Sequence, residues 1–286
     1  MNYLPKPAEF AHQANSSQFK VIQGNSRYFS LPGQSLAVAL ALFLVTHSVL
    51  AGGLPFPVPA FRDEAKGQEL AAQIRSSMPE NIPDRSGVFV IKSGKNKTQV
   101  PVVCQVKLHE GTWETDYQSA DTPAAGAERL VIIHSTNGPS RYLYARAAKP
   151  GGALPEPGPV SGETLDTPFA GADFSLGDLG LEFLHWPGQA KLPGEMRLGQ
   201  ACFVLESTNS SASGIVRVKS WIDTNSLGPM VVEGFDSGGN KLKEFSLDSS
   251  GFKKDAKGHY LLKEMGIDNF KTHSHTDLKF DMPKDQ

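Results

Sequence analysis

The sequence contains few cysteines and no concentration of basic residues, and each shortage excludes a class of protein. Two cysteines among 286 residues cannot supply a disulfide framework. Lysine and arginine together number 28 against 30 aspartates and glutamates, and no segment carries a basic stripe. Binding to nucleic acid requires such a stripe to release counterions from phosphates, so we expect no nucleic-acid partner.

Catalytic motifs are also missing. The sequence has no Gly-x-Ser-x-Gly element, no phosphate-binding glycine loop and no cysteine–histidine pairing. His273, His275 and Asp277 have a spacing that holds zinc when another ligand approaches, but a solvated outer strand face explains them better. His134 and His185 fit partly buried histidines better than general bases. We therefore expect no enzyme, and no catalytic residues, metal or cofactor.

The longest apolar run lies near the N-terminus, from Leu36 to Val45. It is too short to span a bilayer comfortably, and the small residue Ala51 after it fits a signal-peptidase site. We expect residues 1–51 to be an export signal with an N-terminal extension, cleaved near Ala51, and residues 52–286 to be a periplasmic domain. An uncleaved signal anchor is the alternative. Because no cysteine follows the run directly, we expect no acylation of the mature N-terminus.

Residues 167–187 form an unusual stretch, because they are apolar and aromatic yet contain glycines that exclude a long helix. The pattern predicts a short helical lid in which Asp173 or Ser175 caps a turn and Pro187 ends it. Two alternatives fit such a lid above an antiparallel sheet: an ordinary covered core, or the cover of a pocket for an apolar ligand. The loop expected just before it, residues 149–159, is rich in proline and glycine and favours a movable cover.

The rest of the chain is predicted to be mostly strand, apart from one helix. The helix is expected from Phe61 to Met78, ended by Pro79, with apolar residues at steps of three and four. Its apolar face comprises Phe61, Ala65, Leu70, Ala71, Ile74 and Met78. Alternating residues predict about eleven antiparallel strands joined by glycine- and asparagine-rich turns, and a second loop at Pro187 to Gly199. The strands cover residues 88–91, 102–108, 112–117, 128–135, 141–147, 201–207, 215–223, 229–235, 241–247, 260–268 and 273–280.

Cys104 and Cys202 both fall within predicted strands. Export makes a disulfide between them chemically allowed, whereas two buried thiols that behave as small hydrophobic residues are the alternative. A count of two does not decide between them.

Several short segments occur in a distinctive order. They are Phe169-Ala170-Gly171-Ala172-Asp173-Phe174 with Asp178-Leu179, Cys202 to Glu206, Val218 to Asp223, Asp236 to Leu242, and Met265 to Asn269. Together they resemble the outer-membrane lipoprotein-sorting proteins of the LolA-like superfamily, in particular an exported bacterial branch with a Gly-x-Asp-Phe element, over about residues 60–281. Leu176-Gly177 stand where related chains often have Tyr-Glu, and the motifs do not place the arginine that latches the lid in the best-known members.

The resemblance implies a mainly β fold. We expect a half-open antiparallel β-barrel, that is, a curled sheet of about eleven strands, with an N-terminal helix and a short helical lid covering an apolar cavity. Residues 52–286 are then a LolA-like lipoprotein- and lipid-binding domain. The candidate residues of the cavity and lid are Trp113, Tyr117, Phe174, Leu176, Leu179, Phe183 and Trp186. Plain core packing is the alternative for all of them.

The function implied is that of a periplasmic carrier. It would bind acyl chains of lipoproteins, or similar apolar cargo, in the cavity and deliver them toward the outer membrane. Burying an acyl chain is worth about 0.8 kcal/mol per methylene, so no catalytic group is needed. The expected partners are lipoprotein acyl chains or lipid, with membrane-bound donor and acceptor proteins. The alternative is a non-enzymatic structural or interaction module of the cell envelope with a filled core.

Overall fold

The computed structural model describes residues 61–77, 79, 84–122, 125–136, 138–247, 251–254 and 260–282. The expected export signal, its cleavage position and Met78 lie outside these residues. The helices are α1 (Glu64–Ser76) and α2 (Leu176–Leu179), with 3-10 turns at Gly162–Asp166, Phe169–Gly171 and Glu182–His185. Among the described residues, no helix has the length and apolar character needed to cross a membrane.

The strands are β1 (Arg85–Ser93), β2 (Asn96–His109), β3 (Thr112–Ser119), β4 (Glu128–Ser135), β5 (Arg141–Arg146), β6 (Gly158–Val160), β7 (Gly188–Arg197), β8 (Gln200–Thr208), β9 (Arg217–Asp223), β10 (Pro229–Phe235), β11 (Lys241–Ser246), β12 (Phe252–Lys254), β13 (Tyr260–Leu262), β14 (Glu264–Asn269) and β15 (Ser274–Phe280).

Thirteen of the strands in the described residues form one antiparallel sheet, in the order β6-β5-β4-β3-β2-β1-β15-β14-β11-β10-β9-β8-β7. The sheet is curled, but its edge strands β6 and β7 do not pair, so it is not closed into a barrel. β12 and β13 form a separate pair. The mainly β, half-open architecture expected from the sequence is confirmed, with thirteen strands in the sheet instead of about eleven.

Both edge strands lie in segments that the sequence predicts to be loops. β7 occupies most of Pro187 to Gly199, and β6 begins within the proline-rich residues 149–159. The loop prediction for Pro187 to Gly199 is wrong, and that for residues 149–159 holds up to residue 157 and fails at its last two residues. The reason is the same in both cases: glycine and proline argue against a central strand, whereas an edge strand tolerates them because one side of its backbone needs no partner. β7 also contains a bulge between Leu192 and Glu195.

α1 is shorter than predicted and buries a narrower face. Asp63 caps it by accepting a hydrogen bond from the Lys66 N–H at 2.9 Å, so the helix begins at Glu64. Phe61 precedes the helix and is 57% exposed, and Ala65 is also exposed. These two residues therefore do not belong to the packed face. The buried positions of α1 are Gly67, Leu70 and Ala71.

The core on the inner face of the sheet has two clusters. The first lies under the N-terminal strands and includes Phe89, Leu130 and Ile132, together with residues of the stretch predicted to be a lid. The second joins α1 to the C-terminal strands through Leu70, Leu205 and Ile222 among others. A third, smaller cluster packs around Trp221 with Cys202, Val204 and Val231. Since β8 contributes Leu205 to one cluster and Val204 to another, the third cluster lies on the outer face.

Replacing Gly67 by alanine should destabilise the protein by about 1–3 kcal/mol. A Cβ at this position would lie 2.4 Å from the Ala190 Cα, so α1 would have to move away from β7. In an open helix position the same change stabilises by about 1 kcal/mol, so the sign of the effect is informative. Urea unfolding measures it, with the exposed position Glu69→Ala as the control. An unchanged or higher midpoint for Gly67→Ala would contradict the close contact of α1 with β7.

Candidate functional site

The stretch predicted to be a lid has two parts with different surroundings. Residues 169–176, called the plug below, carry Phe169, Phe174 and Leu176, which are almost fully buried in the first core cluster. The Phe89 ring lies 6.0 Å from the ring centroids of both Phe169 and Phe174. Residues 179–186, called the rim turn below, instead border a cavity.

The plug is tied to β15 through the buried carboxylate of Asp173. Its Oδ1 accepts a hydrogen bond from the Ser274 hydroxyl at 2.5 Å, and its Oδ2 accepts one from the Thr276 hydroxyl at 2.7 Å. The Asp173 N–H donates in turn to Thr276 Oγ1 at 3.0 Å. Hydrogen bonds to an ionised carboxylate are strong, and Thr276 is fully buried, so this contact is a rigid anchor.

A second buried carboxylate, that of Glu128 in β4, holds the start of the plug. Its Oε2 accepts hydrogen bonds from the Ala170 N–H at 2.9 Å and the Tyr144 hydroxyl at 2.8 Å. Ala170 has a φ of 53°, in the left-handed region that residues other than glycine rarely adopt. Burial, and then the Glu128 carboxylate, raise the pKa of Tyr144, so its hydroxyl stays a donor at neutral pH.

α2 follows the plug and is a single capped turn. Ser175 Oγ accepts from the Asp178 N–H, while the Asp178 carboxylate accepts from the Ser175 N–H, which is a capping box. Of the two predicted caps, Ser175 is therefore the one used. Lys243 of β11 donates to Asp178 at 2.7 Å and ties α2 to the sheet. Leu181 then adopts a φ of 51°, and the chain enters the rim turn.

A cavity of about 350 Å³ lies between the inner face of β2, β3 and β4 and the rim turn. This volume is at the lower end of the range for small-molecule sites. Much of its apolar surface comes from Val106, Trp113 and Tyr117 of the sheet and from Leu179, Leu181 and Leu184 of the rim turn. The end of α1 and the side chains of Leu262, Met265 and Phe280 also line it.

The polar part of the lining is centred on Ser140. Its hydroxyl lies 3.1 Å from His185 Nε2 and 3.4 Å from His134 Nδ1, and so joins the wall to the rim turn. Thr115 Oγ1 lies 3.3 Å from the other ring nitrogen of His134. The Trp113 ring stacks on the His134 ring at a centroid distance of 4.8 Å.

Both histidines of this cluster are neutral at physiological pH. Burial lowers the pKa of His134 to about 4, with a smaller effect from His185. Burial, and then the charge of Arg75, lower the pKa of His185 to about 4. The cluster can therefore exchange hydrogen bonds with a ligand without carrying charge, as expected of partly buried histidines.

Side chains of α1 and β7 hold the backbone of the rim turn. Arg75 donates to the Leu184 carbonyl, and Gln189 donates to the carbonyls of Phe183 and Trp186 at 2.9 and 3.0 Å. The sequence did not single out Arg75, because its partner is a backbone atom 109 residues away. In the described chain, no buried carboxylate anchors the backbone of the rim turn as Asp173 and Glu128 anchor the plug.

The predicted site residues fall into three groups. Those that line the cavity are Trp113, Tyr117 and Leu179. Those that pack in the first core cluster are Phe174 and Leu176, and those that pack in the second are Phe183 and Trp186. None of the proline-rich residues 149–159 lines the cavity, so the cavity does not open through that loop. The loop follows the C-terminal end of β5. The cavity is instead lined by Ser140, which directly precedes the N-terminal end of β5.

Cys104 and Cys202 are both free thiols. They lie in β2 and β8, which are not neighbours in the sheet, so no disulfide joins them and the alternative of two thiols applies. Cys104 lines the cavity, and burial raises its pKa to about 11, which makes the thiol a poor nucleophile. Cys202 is buried in the outer cluster.

Of the two histidines near the C-terminus, His275 belongs to an ion-pair network. His273 lies in the exposed turn before β15, whereas the two ring nitrogens of His275 lie 2.8 Å from Asp268 and 2.8 Å from Asp277. Lys92 donates to Asp277 at 2.8 Å. Within the described residues, no group of three histidine, cysteine or carboxylate side chains is arranged to hold a metal ion.

Comparison with protein families and with curated proteins gives one match. A family model described as "Uncharacterized protein" matches residues 121–284, which is more than half of the chain. No curated protein matches the sequence.

Solved structures share the fold over 77% of this chain. A domain named as an outer membrane lipoprotein-sorting protein, from Vibrio parahaemolyticus, is 21% identical, with a TM-score of 0.60 and 92% of its own length covered. A DUF1329 family protein from Desulfovibrio piger is 15% identical, with a TM-score of 0.58 and 92% covered. A LolA superfamily protein from Nitrosomonas europaea is 14% identical, with a TM-score of 0.49. The LolA-like fold predicted from the ordered segments is confirmed.

The anchor of the plug predicts an energetic coupling between Asp173 and Thr276. Asp173→Ala and Thr276→Val each remove one partner of the hydrogen bond from the Thr276 hydroxyl to the Asp173 carboxylate, so the double variant should lose less stability than the sum of the single variants. We expect a coupling of about 1–3 kcal/mol, as for hydrogen bonds to charged groups. Urea unfolding of the four proteins measures it. Strictly additive losses would contradict the anchor.

The neutral histidines make the folded protein sensitive to mild acid. Between their ordinary pKa of 6.5 and the folded value of about 4, the unfolded chain binds protons that the folded chain excludes. Stability should therefore fall as the pH decreases through this range. Replacing His134 and His185 together by glutamine should make this decrease smaller, as measured by urea unfolding at about pH 7 and about pH 5. The same loss of stability in both proteins would show that other groups cause it.

Proposed function

We propose that this chain, which belongs to the family whose model matches residues 121–284 and has a LolA-like fold, is a periplasmic carrier of acyl chains. It binds the acyl chains of lipoproteins, or similar lipid, and delivers them toward the outer membrane. The role is non-enzymatic. The similarity to a domain named for lipoprotein sorting supports this proposal, as does the apolar run of residues 36–45, which we interpret as part of an export signal.

The observation that carries the proposal is the cavity between the curled sheet and the rim turn. Its lining is largely aromatic and aliphatic, which suits an acyl chain. Each methylene buried there contributes about 0.8 kcal/mol, so binding needs only a rigid wall and a way in. The wall is the inner face of β2, β3 and β4, whose strands are fixed by their ladders.

Entry of cargo involves the rim turn and not the plug. The plug is fixed by two buried carboxylates, whereas the rim turn is held by Arg75 and Gln189 through neutral carbonyl acceptors. The Gln189 contacts join neutral groups and are weaker than bonds to a buried carboxylate, and the rim turn borders the cavity whereas the plug is buried in the core, so the rim turn is the part of the cover that moves. Opening it exposes Leu179 and Leu184 to incoming cargo. Membrane-bound donor and acceptor proteins would supply and receive that cargo.

A structural or interaction module of the cell envelope is the second candidate. The observation that favours it is the dense packing of the plug, whose Phe169 and Leu176 side chains have no exposed surface. In that case the cavity is a packing defect and holds no cargo. The two candidates differ in whether lipid accompanies the protein from the cell.

Val106→Trp should prevent the binding of lipid, because the larger side chain fills the cavity. Excluding two methylenes of an acyl chain already weakens binding by about tenfold. Val103→Trp is the matched control, since Val103 lies on the same strand but is exposed on the opposite face. Native mass spectrometry of each protein after expression in the periplasm measures the lipid or acylated peptide that remains bound.

We expect bound lipid with the wild-type protein and with Val103→Trp, and little or none with Val106→Trp. Recovery of no lipid or acylated peptide from the folded wild-type protein would favour the structural module. Equal amounts of lipid from both variants would place the binding site elsewhere.

A further inference from the structure

The formal charges that line the cavity are all positive. Among the described residues, the lining contains two arginines, Arg75 and Arg85, and no aspartate or glutamate. The whole protein has a formal net charge of −2, so this excess of positive charge is local. Because the histidines of the lining are neutral, two guanidinium groups provide the charge of the cavity.

Neither guanidinium forms an ion pair within the part of the chain that the structure describes. Arg75, in the last turn of α1, donates to the Leu184 carbonyl. Arg85, at the start of β1, lies over the Phe280 ring at 4.4 Å and donates to Met282 Sδ at 3.6 Å. A guanidinium has five N–H donors, so most of the donors of both arginines have no hydrogen-bond acceptor among the described residues.

Five of the six other arginines of the described chain differ in this respect, the exception being the exposed Arg141. Those that form an ion pair with an aspartate or glutamate are Arg62, Arg129, Arg146, Arg197 and Arg217. Arg75 and Arg85 are instead partly buried beside apolar surface, and this burial lowers the pKa of both groups. The exposed Asp281 carboxylate acts on the pKa of Arg85 in the opposite direction, but it forms no ion pair with the guanidinium. A partly dehydrated cation that forms no ion pair gains free energy when an anion binds next to it.

We propose that the cavity binds an amphiphile whose head is an anion, either a carboxylate or a phosphate, attached to an acyl chain. The proposal rests on the carrier function proposed above and specifies the chemistry of the cargo. Arg75 and Arg85 bind the head, and Trp113 and Leu179 contact the chain. Arginine suits this head because its planar fork matches two oxygens of a carboxylate or phosphate at once.

Calorimetric titration with three amphiphiles that share one acyl chain tests the proposal. Myristate carries a carboxylate, myristoyl lysophosphatidylglycerol carries an anionic phosphate, and myristoyl lysophosphatidylcholine has no net charge. We expect at least one of the two anionic amphiphiles to bind about tenfold more tightly than lysophosphatidylcholine, with a smaller difference at high salt. A preference confined to one anion identifies the head as a carboxylate or as a phosphate.

Arg85→Gln should weaken binding of the preferred anion by about tenfold and leave lysophosphatidylcholine unchanged. Arg75→Gln should have a similar effect, although it also removes the hydrogen bond to Leu184. Arg141→Gln is the matched control, because Arg141 is exposed and lies outside the cavity lining. Circular dichroism verifies that each variant is folded.

Two failures of this experiment are distinguishable. Equal affinity for the three amphiphiles, unaffected by Arg85→Gln, would overturn the anionic head and leave the carrier function intact. Binding of none of them to folded wild-type protein would overturn the carrier function and the anionic head together.

Discussion

The structure depends on the hydrogen bonds between the Asp173 carboxylate and two hydroxyls of β15. A buried carboxylate is tolerated only when its oxygens are satisfied, and Ser274 and Thr276 satisfy them. This requirement fixes the plug against β15, which pairs with β1 in the middle of the sheet. Glu128 adds a second fixed point from β4. The aromatic side chains of the plug are thereby held as core, and the cover borders the cavity from Leu179, the last residue of α2, onward.

Much of the fold follows from local patterns in the sequence. Alternating apolar and polar residues identify the central strands, because each such strand has one face on the core. Alternation does not identify the edge strands β6 and β7, because their glycines and prolines are equally typical of loops. The start of α1 is misplaced for a related reason. Phe61 continues the apolar spacing, but the capping bond at Asp63 begins the helix after it.

The site is less predictable than the fold, because it depends on contacts between distant residues. An apolar segment has the same composition whether it plugs a core or covers a cavity, so Phe174 and Leu179 look alike in the sequence although the structure separates them. No sequence motif identifies Arg75 or Arg85 as a candidate binding residue. They stand out only because the fold places both of them in a cavity lining that contains no aspartate or glutamate among the described residues. Ser140 is likewise identified only by its contacts with His134 and His185, which lie on different elements of the fold.

The unpaired edges of the sheet have a mechanical consequence. In a closed barrel the strand number and stagger set the circumference, so a larger interior requires a different ladder. Here β6 and β7 stay apart, and the thirteen strands can uncurl slightly without breaking a hydrogen bond between neighbours. Small changes of twist, spread over many strands, then alter the girth of the interior. The width of the interior can therefore change while the backbone pairing stays the same.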